Sequence, residues 1–284
     1  MDKSFLQRLY NAHQACPTCP SPAEVANFFT KLLGTLFADY TQLTFPSLEE
    51  FERHMVSLKE ELDHIVRFNP HRGDVESAAI AGQFFDALPG IFEKLNEDVT
   101  AMYEGDPAAK SRSEVIRTYP GFYAISAYRI AHQLHLLGVQ GLPRVITEHA
   151  HSKTGVDIHP SARIGNHFCI DHGTGVVIGE TAVIGDHVKI YQGVTLGALS
   201  VSKEDAVKKR HPTLEDHVVV YAGATILGGE TVIGHHSVVG GNVWLTRSVP
   251  PNSKIYYQAK MYNGQTEETD IVIFKADGDK ATRP

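Results

Sequence analysis

The chain has 284 residues, of which 42% are hydrophobic and 21% are charged, with a formal net charge of −7 and a pI near 6.1. This acidic balance disfavours electrostatic binding to nucleic acid or to an anionic membrane. No apolar run approaches the roughly 20 residues that span a bilayer, and the opening "MDKSFLQRLYNAHQ" has no signal-peptide core. We therefore expect a folded cytoplasmic protein without a nucleic-acid or membrane partner.

The first 150 residues have the apolar spacing of helices. In "PAEVANFFTKLLGTLFADY" and "SLEEFERHMVSLKEELDHIVRF" the apolar residues recur at steps of three and four. Ser47, followed three residues later by Glu50, is typical of a capping box. The next helical pattern is interrupted at Pro89–Gly90. The sequence predicts an α-helical N-terminal domain of six to eight helices over residues 1–150.

The three cysteines are too few for a disulfide framework. Cys16 and Cys19 form a single CxxC, which we interpret as a surface or loop pair rather than a metal or redox site. Cys169, inside the repeat described below, is predicted to be a small core or edge residue.

From residue 158 an aliphatic residue recurs about every six positions. Such a period cannot keep one face of a straight α-helix buried, but it suits short strands on the three faces of a prism. Each coil would stack on the preceding one and bury the repeated side chain. The pattern predicts a parallel β-helix, so the chain is α+β by segments. The thirteen predicted inward positions are Ile158, Ile164, Ile170, Ile178, Ile184, Ile190, Leu196, Leu214, Val220, Ile226, Ile233, Val239 and Leu245.

The period breaks in three places, where we expect insertions to project from the coils. The step from Ile170 to Ile178 is eight residues, that from Leu196 to Leu214 is eighteen, and that from Ile226 to Ile233 is seven. The second break is a polar, basic loop. The first break contains "DHG", residues 171–173.

His172 in that first break has two interpretations from the residues alone. A histidine near its ordinary pKa is suited to general-base chemistry at neutral pH. A histidine at a turn can equally serve only to bond a backbone carbonyl.

Several motifs, taken in order, decide between these interpretations. "GDPA" and "YPGFYAISAYRIAH" precede "VDIHPSARIG", "DHGTGVVIGETAVIG", "VTLG", "RHPT" and "VPP". Over about residues 104–252 the chain resembles serine O-acetyltransferase, a hexapeptide-repeat acyltransferase. The resemblance implies a left-handed parallel β-helix over 151–262, with an extended loop. The polar, charged composition of residues 263–284 predicts a mobile tail. The resemblance also implies acetyl transfer from acetyl-CoA to the hydroxyl of L-serine, giving O-acetylserine for cysteine biosynthesis.

The resemblance assigns His172 as the general base and Asp157, in "VDIHP", as the residue that orients its imidazole. A carboxylate on the far ring nitrogen fixes the tautomer and stabilises the imidazolium that forms.

Serine carries an ammonium and a carboxylate, so its site requires groups of both signs. The resemblance assigns Asp106 and Asp171 to the ammonium, and Arg210 and His211 to the carboxylate. L-cysteine is the implied feedback inhibitor. Because these residues lie on loops and corners, we expect the site to form between prisms of a homo-oligomer, a trimer or a dimer of trimers.

Acetyl-CoA is expected in a groove between prisms, where small residues let it approach the backbone. Gly197, Ala222 and Gly241 align with the acetyl-CoA contacts that the resemblance implies. Bulky Tyr256 and Tyr257 stand where relatives have small residues. The resemblance implies no metal.

The chain ends in "DGDKATRP", without the C-terminal isoleucine by which many relatives bind the sulfhydrylase that follows in the pathway. The resemblance therefore does not extend to that partnership.

Three alternatives remain open from the sequence. One is an O-acetyltransferase with a sugar acceptor, and another is a non-catalytic scaffold protein. The third is a zinc enzyme like the γ-type carbonic anhydrases, in which three histidines from neighbouring prisms hold the metal. Its candidate ligands are His159, His172, His187, His217, His235 and His236.

Overall fold

The computed structural model describes residues 1–15, 19–71, 76–199, 208–260 and 268–275, with side chains as far as Tyr257. Cys16 lies outside the described residues, and Cys19 is disulfide-bonded. Cys169 is a buried free thiol, as predicted. Across the described ranges, no helix is long and apolar enough to cross a membrane.

Two compact units make up the chain. The first contains residues 1–89 and 130–146, and the second contains residues 90–129 and the chain from 147 onward. The domain boundaries given above at residues 150 and 262 stay predictions.

In the described part of the chain there are seven α-helices, within the predicted range. They are α1 (Lys3–Ala15), α2 (Pro22–Leu36), α3 (Leu48–Arg67), α4 (Ser77–Gly105), α5 (Arg112–Thr118), α6 (Pro120–Leu136) and α7 (Leu142–Thr154), with a 3₁₀ turn at Ala38–Tyr40.

Helices α2 and α3 bury the apolar faces that their spacing predicts. Phe28 and Leu32 of α2 and Leu58 and Leu62 of α3 are almost fully buried. The Ser47 side chain caps α3 by accepting a hydrogen bond from Glu50 N at 3.2 Å.

The predicted interruption at Pro89 is wrong, because α4 runs through it without a break. Proline in a helix interior costs about 3 kcal/mol through its missing N–H and its ring. Leu88 and Ile91 on either side of it are buried. Burial of an apolar helix face contributes more than this single cost, so packing maintains the helix.

From residue 157 onward, short parallel strands wind into five coils with three faces, A, B and C. Their order and period agree with the predicted left-handed parallel β-helix. Face A contains β1 (Asp157–Ile158), β4 (Val177–Ile178), β7 (Thr195–Gly197), β10 (Thr225–Leu227) and β13 (Trp244–Leu245); face B contains β2 (Arg163–Ile164), β5 (Val183–Ile184), β8 (Thr213–Leu214) and β11 (Val232–Ile233); face C contains β3 (Cys169–Asp171), β6 (Lys189–Tyr191), β9 (Val219–Val220), β12 (Val238–Val239) and β14 (Ser253–Lys260).

All thirteen predicted inward residues are buried, the most exposed of them being Leu245 at 9%. In-register pairing stacks them in three columns, as between Ile158 and Ile178 or between Ile184 and Leu214. The aliphatic period alone therefore predicts the interior of the prism.

We name the three corners by the faces they join, so that the C–A corner follows each strand of face C. Backbone hydrogen bonds of 2.7 to 2.9 Å connect successive coils along the C–A corner. They run from Gly175 N to Gly155 O, from Gly193 N to Thr174 O, from Gly223 N to Gln192 O and from Asn242 N to Ala222 O.

The second break in the period is an insertion at the A–B corner, between β7 and β8. Residues 200–207 of this insertion lie outside the described residues. After the last coil, β14 pairs antiparallel with β15 (Glu268–Lys275). The sequence did not predict β15, which falls within the expected tail.

A buried ion pair in the second unit connects the helices to the first coil. Asp98 and Arg129 are at most 5% exposed, with Arg129 Nη2 at 2.8 Å from Asp98 Oδ1. Arg129 also donates to Gly165 O at 2.7 Å, and Asp98 accepts from Phe168 N at 2.9 Å. These extra bonds compensate both charges for the loss of water, which a buried pair requires.

Candidate active site

His172 lies on the two-residue bulge at the C–A corner of the first coil. Its φ is 57°, and Gly173 follows at 88°, so two successive residues are in the left-handed region. Gly173 N donates to Asp171 O at 2.7 Å and closes the turn. The bulge leaves the His172 side chain 74% exposed, which makes its imidazole accessible to a substrate.

Asp171 ends β3 directly before the bulge, and its two carboxylate oxygens face different basic side chains. Oδ1 lies 3.7 Å from His172 Nε2, and Oδ2 lies 2.9 Å from Lys189 Nζ. The Asp171 side chain is only 12% exposed, so solvent screens these interactions weakly.

Asp106 follows α4 and is held by two donors. Tyr119 Oη donates to Oδ2 at 2.5 Å, and Ala108 N donates to Oδ1 at 2.8 Å. The Tyr119 hydrogen bond, then that of Ala108, with smaller contributions from Lys189 and His172, lower the pKa of Asp106 below its usual value. Asp106 is therefore an anion at neutral pH, and Gly105 before it accepts a hydrogen bond from Lys189, which also pairs with Asp171.

Asp157 flanks the same corner as His172, because Gly155 O accepts from Gly175 N at 2.7 Å. Its carboxylate lies within 4.8 Å of ligand atoms of Glu148 and His151. The orienting role of Asp157 stays a prediction.

Arg210 and His211 lie at the A–B corner, not at the corner of His172. The Arg210 guanidinium pairs with Glu180, and its backbone N donates to Thr181 Oγ1 at 2.9 Å. One chain therefore brings together Asp106, Asp171 and His172 but places the two residues predicted for the carboxylate elsewhere.

Buried His211 is neutral, and its tautomer is fixed. Thr181 N donates to Nδ1 at 3.0 Å, so the ring proton is on Nε2. Burial, and then the positive charge of Arg210, lower the pKa of His211 to about 4. The ring packs on Gly179, where an added Cβ would lie 2.0 Å from its Cδ2. His211 therefore offers an N–H donor, not a charge, to a carboxylate.

The three small residues predicted to contact acetyl-CoA lie at two places. Ala222 and Gly241 stack at the C–A corner, since a Cβ on Gly241 would lie 3.2 Å from Ala222 O. They continue the corner that carries His172 into later coils. Gly197 ends β7 on face A and pairs in register with Leu227.

Three of the six candidate zinc ligands belong instead to a stack of imidazoles at the B–C corner. The rings of His167, His187, His217 and His236 lie 4.3 to 4.8 Å apart and within 7° of parallel. Within the described residues, the group of side chains that could converge on one ion is Glu148, His151 and Asp157, which contains none of the six. The histidines of the zinc alternative thus form no three-ligand group within one chain.

Sequence reasoning missed Tyr119 and Lys189. Tyr119 lies in the quoted "YPGFYAISAYRIAH", but nothing in the motif indicated its bond to Asp106. Lys189 could have been found from the coil length, because the eight-residue break makes this coil 20 residues long and pairs Cys169 with Lys189.

Comparisons with known proteins agree with this architecture. No protein-family model matches the chain. Over 203 residues, or 68% of its length, the chain is 51% identical to a plasmid serine acetyltransferase of Synechococcus elongatus, and the match spans 63% of that relative. It is 44% identical over 165 residues to the serine acetyltransferase of Bacillus pumilus, of which it covers 74%.

Solved structures give the same family. Serine acetyltransferase 1 of Entamoeba histolytica in complex with L-cysteine matches with a TM-score of 0.71 at 38% identity, over 80% of this chain and 85% of that one. The Neisseria gonorrhoeae serine acetyltransferase in complex with serine matches with a TM-score of 0.58 at 29% identity, over 90% and 87% of the two chains. On its sequence and its fold alike, the chain belongs to the serine acetyltransferase family.

Proposed function

We propose that this protein transfers the acetyl group of acetyl-CoA to the hydroxyl of L-serine, giving O-acetylserine and CoA. The observation that carries the proposal is the exposed His172 imidazole 3.7 Å from the Asp171 carboxylate, at a corner where Lys189 links Asp171 to Gly105, the residue before Asp106. A base beside two anions fits a hydroxyl acceptor that also bears an ammonium.

His172 takes the proton of the serine hydroxyl as its oxygen attacks the thioester carbonyl. The tetrahedral intermediate then expels the CoA thiolate, which recovers a proton from the imidazolium. Asp157 is proposed to hold the ring in the required tautomer, and the nearby Asp171 stabilises the imidazolium that forms.

Arg210 and His211 are proposed to bind the serine carboxylate, Arg210 as a cation and His211 through its Nε2 proton. They lie across face A from His172, and Val176 to Glu180 spans roughly 13 Å at about 3.3 Å per residue. This separation supports a site completed by the neighbouring prism of a second copy, in a trimer or a dimer of trimers.

Acetyl-CoA is proposed to lie along the C–A corner beside Ala222 and Gly241, with Gly197 as a further contact. L-cysteine has the ammonium and carboxylate of serine, so we propose it as a competing ligand and feedback inhibitor; relatives crystallised with cysteine support this. The cytoplasmic location stays a prediction from the sequence.

The test is release of the CoA thiol from acetyl-CoA with and without L-serine, with the product identified by mass spectrometry. L-serine is expected to accelerate release, whereas serine methyl ester and N-acetylserine, each lacking one charged group, are poor acceptors. A rate equal with and without serine, or faster with a sugar, would refute the proposal. Activity that requires stoichiometric zinc would favour the metal alternative.

A further inference from the structure

Lys189 is the cation at the centre of the acidic side of this site. Its Nζ lies 2.9 Å from Asp171 Oδ2 and donates to Gly105 O at 2.6 Å. The same ammonium lies 4.5 Å from the centroid of the Tyr191 ring. The Lys189 side chain is 16% exposed, so these three contacts fix its position.

These contacts connect the two acidic residues of the site. Gly105 immediately precedes Asp106, and Asp171 immediately precedes His172. Lys189 therefore joins the segment that bears Asp106 to the strand that bears Asp171. The titratable groups around the ammonium are those of Asp171 and Cys169 on β3, Tyr191 on β6, and Asp106 after α4.

The Lys189 cation also offsets part of the charge of the two acidic residues. Asp106 and Asp171 together contribute two negative charges, but an amino-acid acceptor brings one ammonium. Lys189 leaves Asp106 and Asp171 together with a net charge of minus one, which a single ammonium balances. Partial burial would lower the pKa of Lys189, but its bonds to Tyr191 and Asp171 raise it above the ordinary value, so the cation persists at neutral pH.

We propose that Lys189 is a positioning residue of the acceptor subsite, which holds the Asp171 carboxylate and sets the subsite charge to match one ammonium. The inference rests on the proposed function, because it assigns the ammonium of the acceptor to Asp106 and Asp171. It adds a specificity element: acceptors with one ammonium are preferred over neutral or doubly cationic amines.

Lys189→Met tests this, with Lys254→Met as a matched control. Lys254 lies on the same outward row of face C, which runs from Lys189 through Val219 and Val238. We expect Lys189→Met to raise the KM for serine roughly tenfold, with the KM for acetyl-CoA unchanged. Removal of the positive charge should also shift the acidic limb of the pH profile of kcat/KM to higher pH, by about 0.5 pH unit. Lys189→Arg should restore both values.

Several outcomes would overturn the inference. One is a Lys189→Met variant that matches Lys254→Met. Another is a variant in which kcat falls but the acidic limb of the pH profile of kcat/KM stays at its wild-type pH. That result would show a structural role only. If Lys189→Met does not fold by circular dichroism, Lys189→Gln replaces it. Serine binding measured by calorimetry separates the two proposals: a wild type that binds serine but does not turn it over refutes the proposed function alone, and unchanged serine affinity in the lysine variant refutes this inference alone.

Discussion

The Tyr119 hydroxyl donates a 2.5 Å hydrogen bond to Asp106 Oδ2. It is the largest cause of the lowered pKa of Asp106. Burial, and then Asp106 itself, raise the pKa of Tyr119, so the phenol remains protonated as a donor. A tyrosine that sequence motifs left without a role thus holds one of the two acids at the site.

Tyr119→Phe removes this bond and frees the Asp106 carboxylate to move. Because hydrogen bonds to charged groups contribute about 1.5–3 kcal/mol, we expect the KM for serine to rise roughly tenfold and kcat to change less. Steady-state kinetics at saturating acetyl-CoA measure this. Tyr103→Phe, on the exposed surface of α4, serves as the control. Equal KM values in the two variants would show that Tyr119 does not position Asp106.

Gly179→Ala tests the position of His211. The added methyl group would lie 2.0 Å from Cδ2 and 2.1 Å from Nε2 of the imidazole, so the ring must move. We expect weaker serine binding and a loss of stability of about 1–3 kcal/mol, measured by calorimetry and by urea unfolding. At Gly90, in the interior of α4, an added Cβ meets no atom within 4 Å. Gly90→Ala should therefore be neutral or slightly stabilising. A Gly179→Ala variant with wild-type serine affinity would place His211 outside the acceptor site.

Buried His211 predicts a dependence of stability on pH. Its folded pKa, about 4, lies below the ordinary value of 6.5, so between these values the unfolded chain binds more protons. The free energy of unfolding should then fall as the pH drops from 6.5 towards 4, by up to about 1.4 kcal/mol per pH unit from this group. Above pH 6.5 this contribution is fully present and constant.

Urea unfolding at several pH values between 7 and 4 measures the slope. His211→Gln keeps a polar side chain but cannot titrate, so the slope of this variant should be shallower than that of wild type. An identical slope in both proteins would mean that other groups control the acid sensitivity.

The β-helix was predictable because its physical cause is local and periodic. One aliphatic residue per face is enough to define the interior, and all thirteen predicted positions are buried. The position of His172 followed from the same pattern, because two extra residues cannot fit in the coil and must project from it. The helical half was less predictable: Pro89 indicated a break that the packing of Leu88 and Ile91 overrides.

Contacts between coils were not predictable without the register. The histidines at 167, 187, 217 and 236 occupy one corner of successive coils, each in the left-handed conformation that histidine tolerates better than most residues. From the sequence, three of them were candidate zinc ligands. Lys189 was missed for the same reason, since its place beside Asp171 follows only when the 20-residue length of the first coil is used to pair β3 with β6.

The central claim is that His172 on its bulge is the general base, and the most direct test compares His172→Ala with His187→Ala. Both histidines are exposed corner residues with a φ of 57°, so the two changes are conformationally matched. We predict that the serine-dependent rate of CoA release falls by roughly 10²–10⁴ in His172→Ala and stays at the wild-type level in His187→Ala. A His172→Ala variant that retains the wild-type rate would contradict the account.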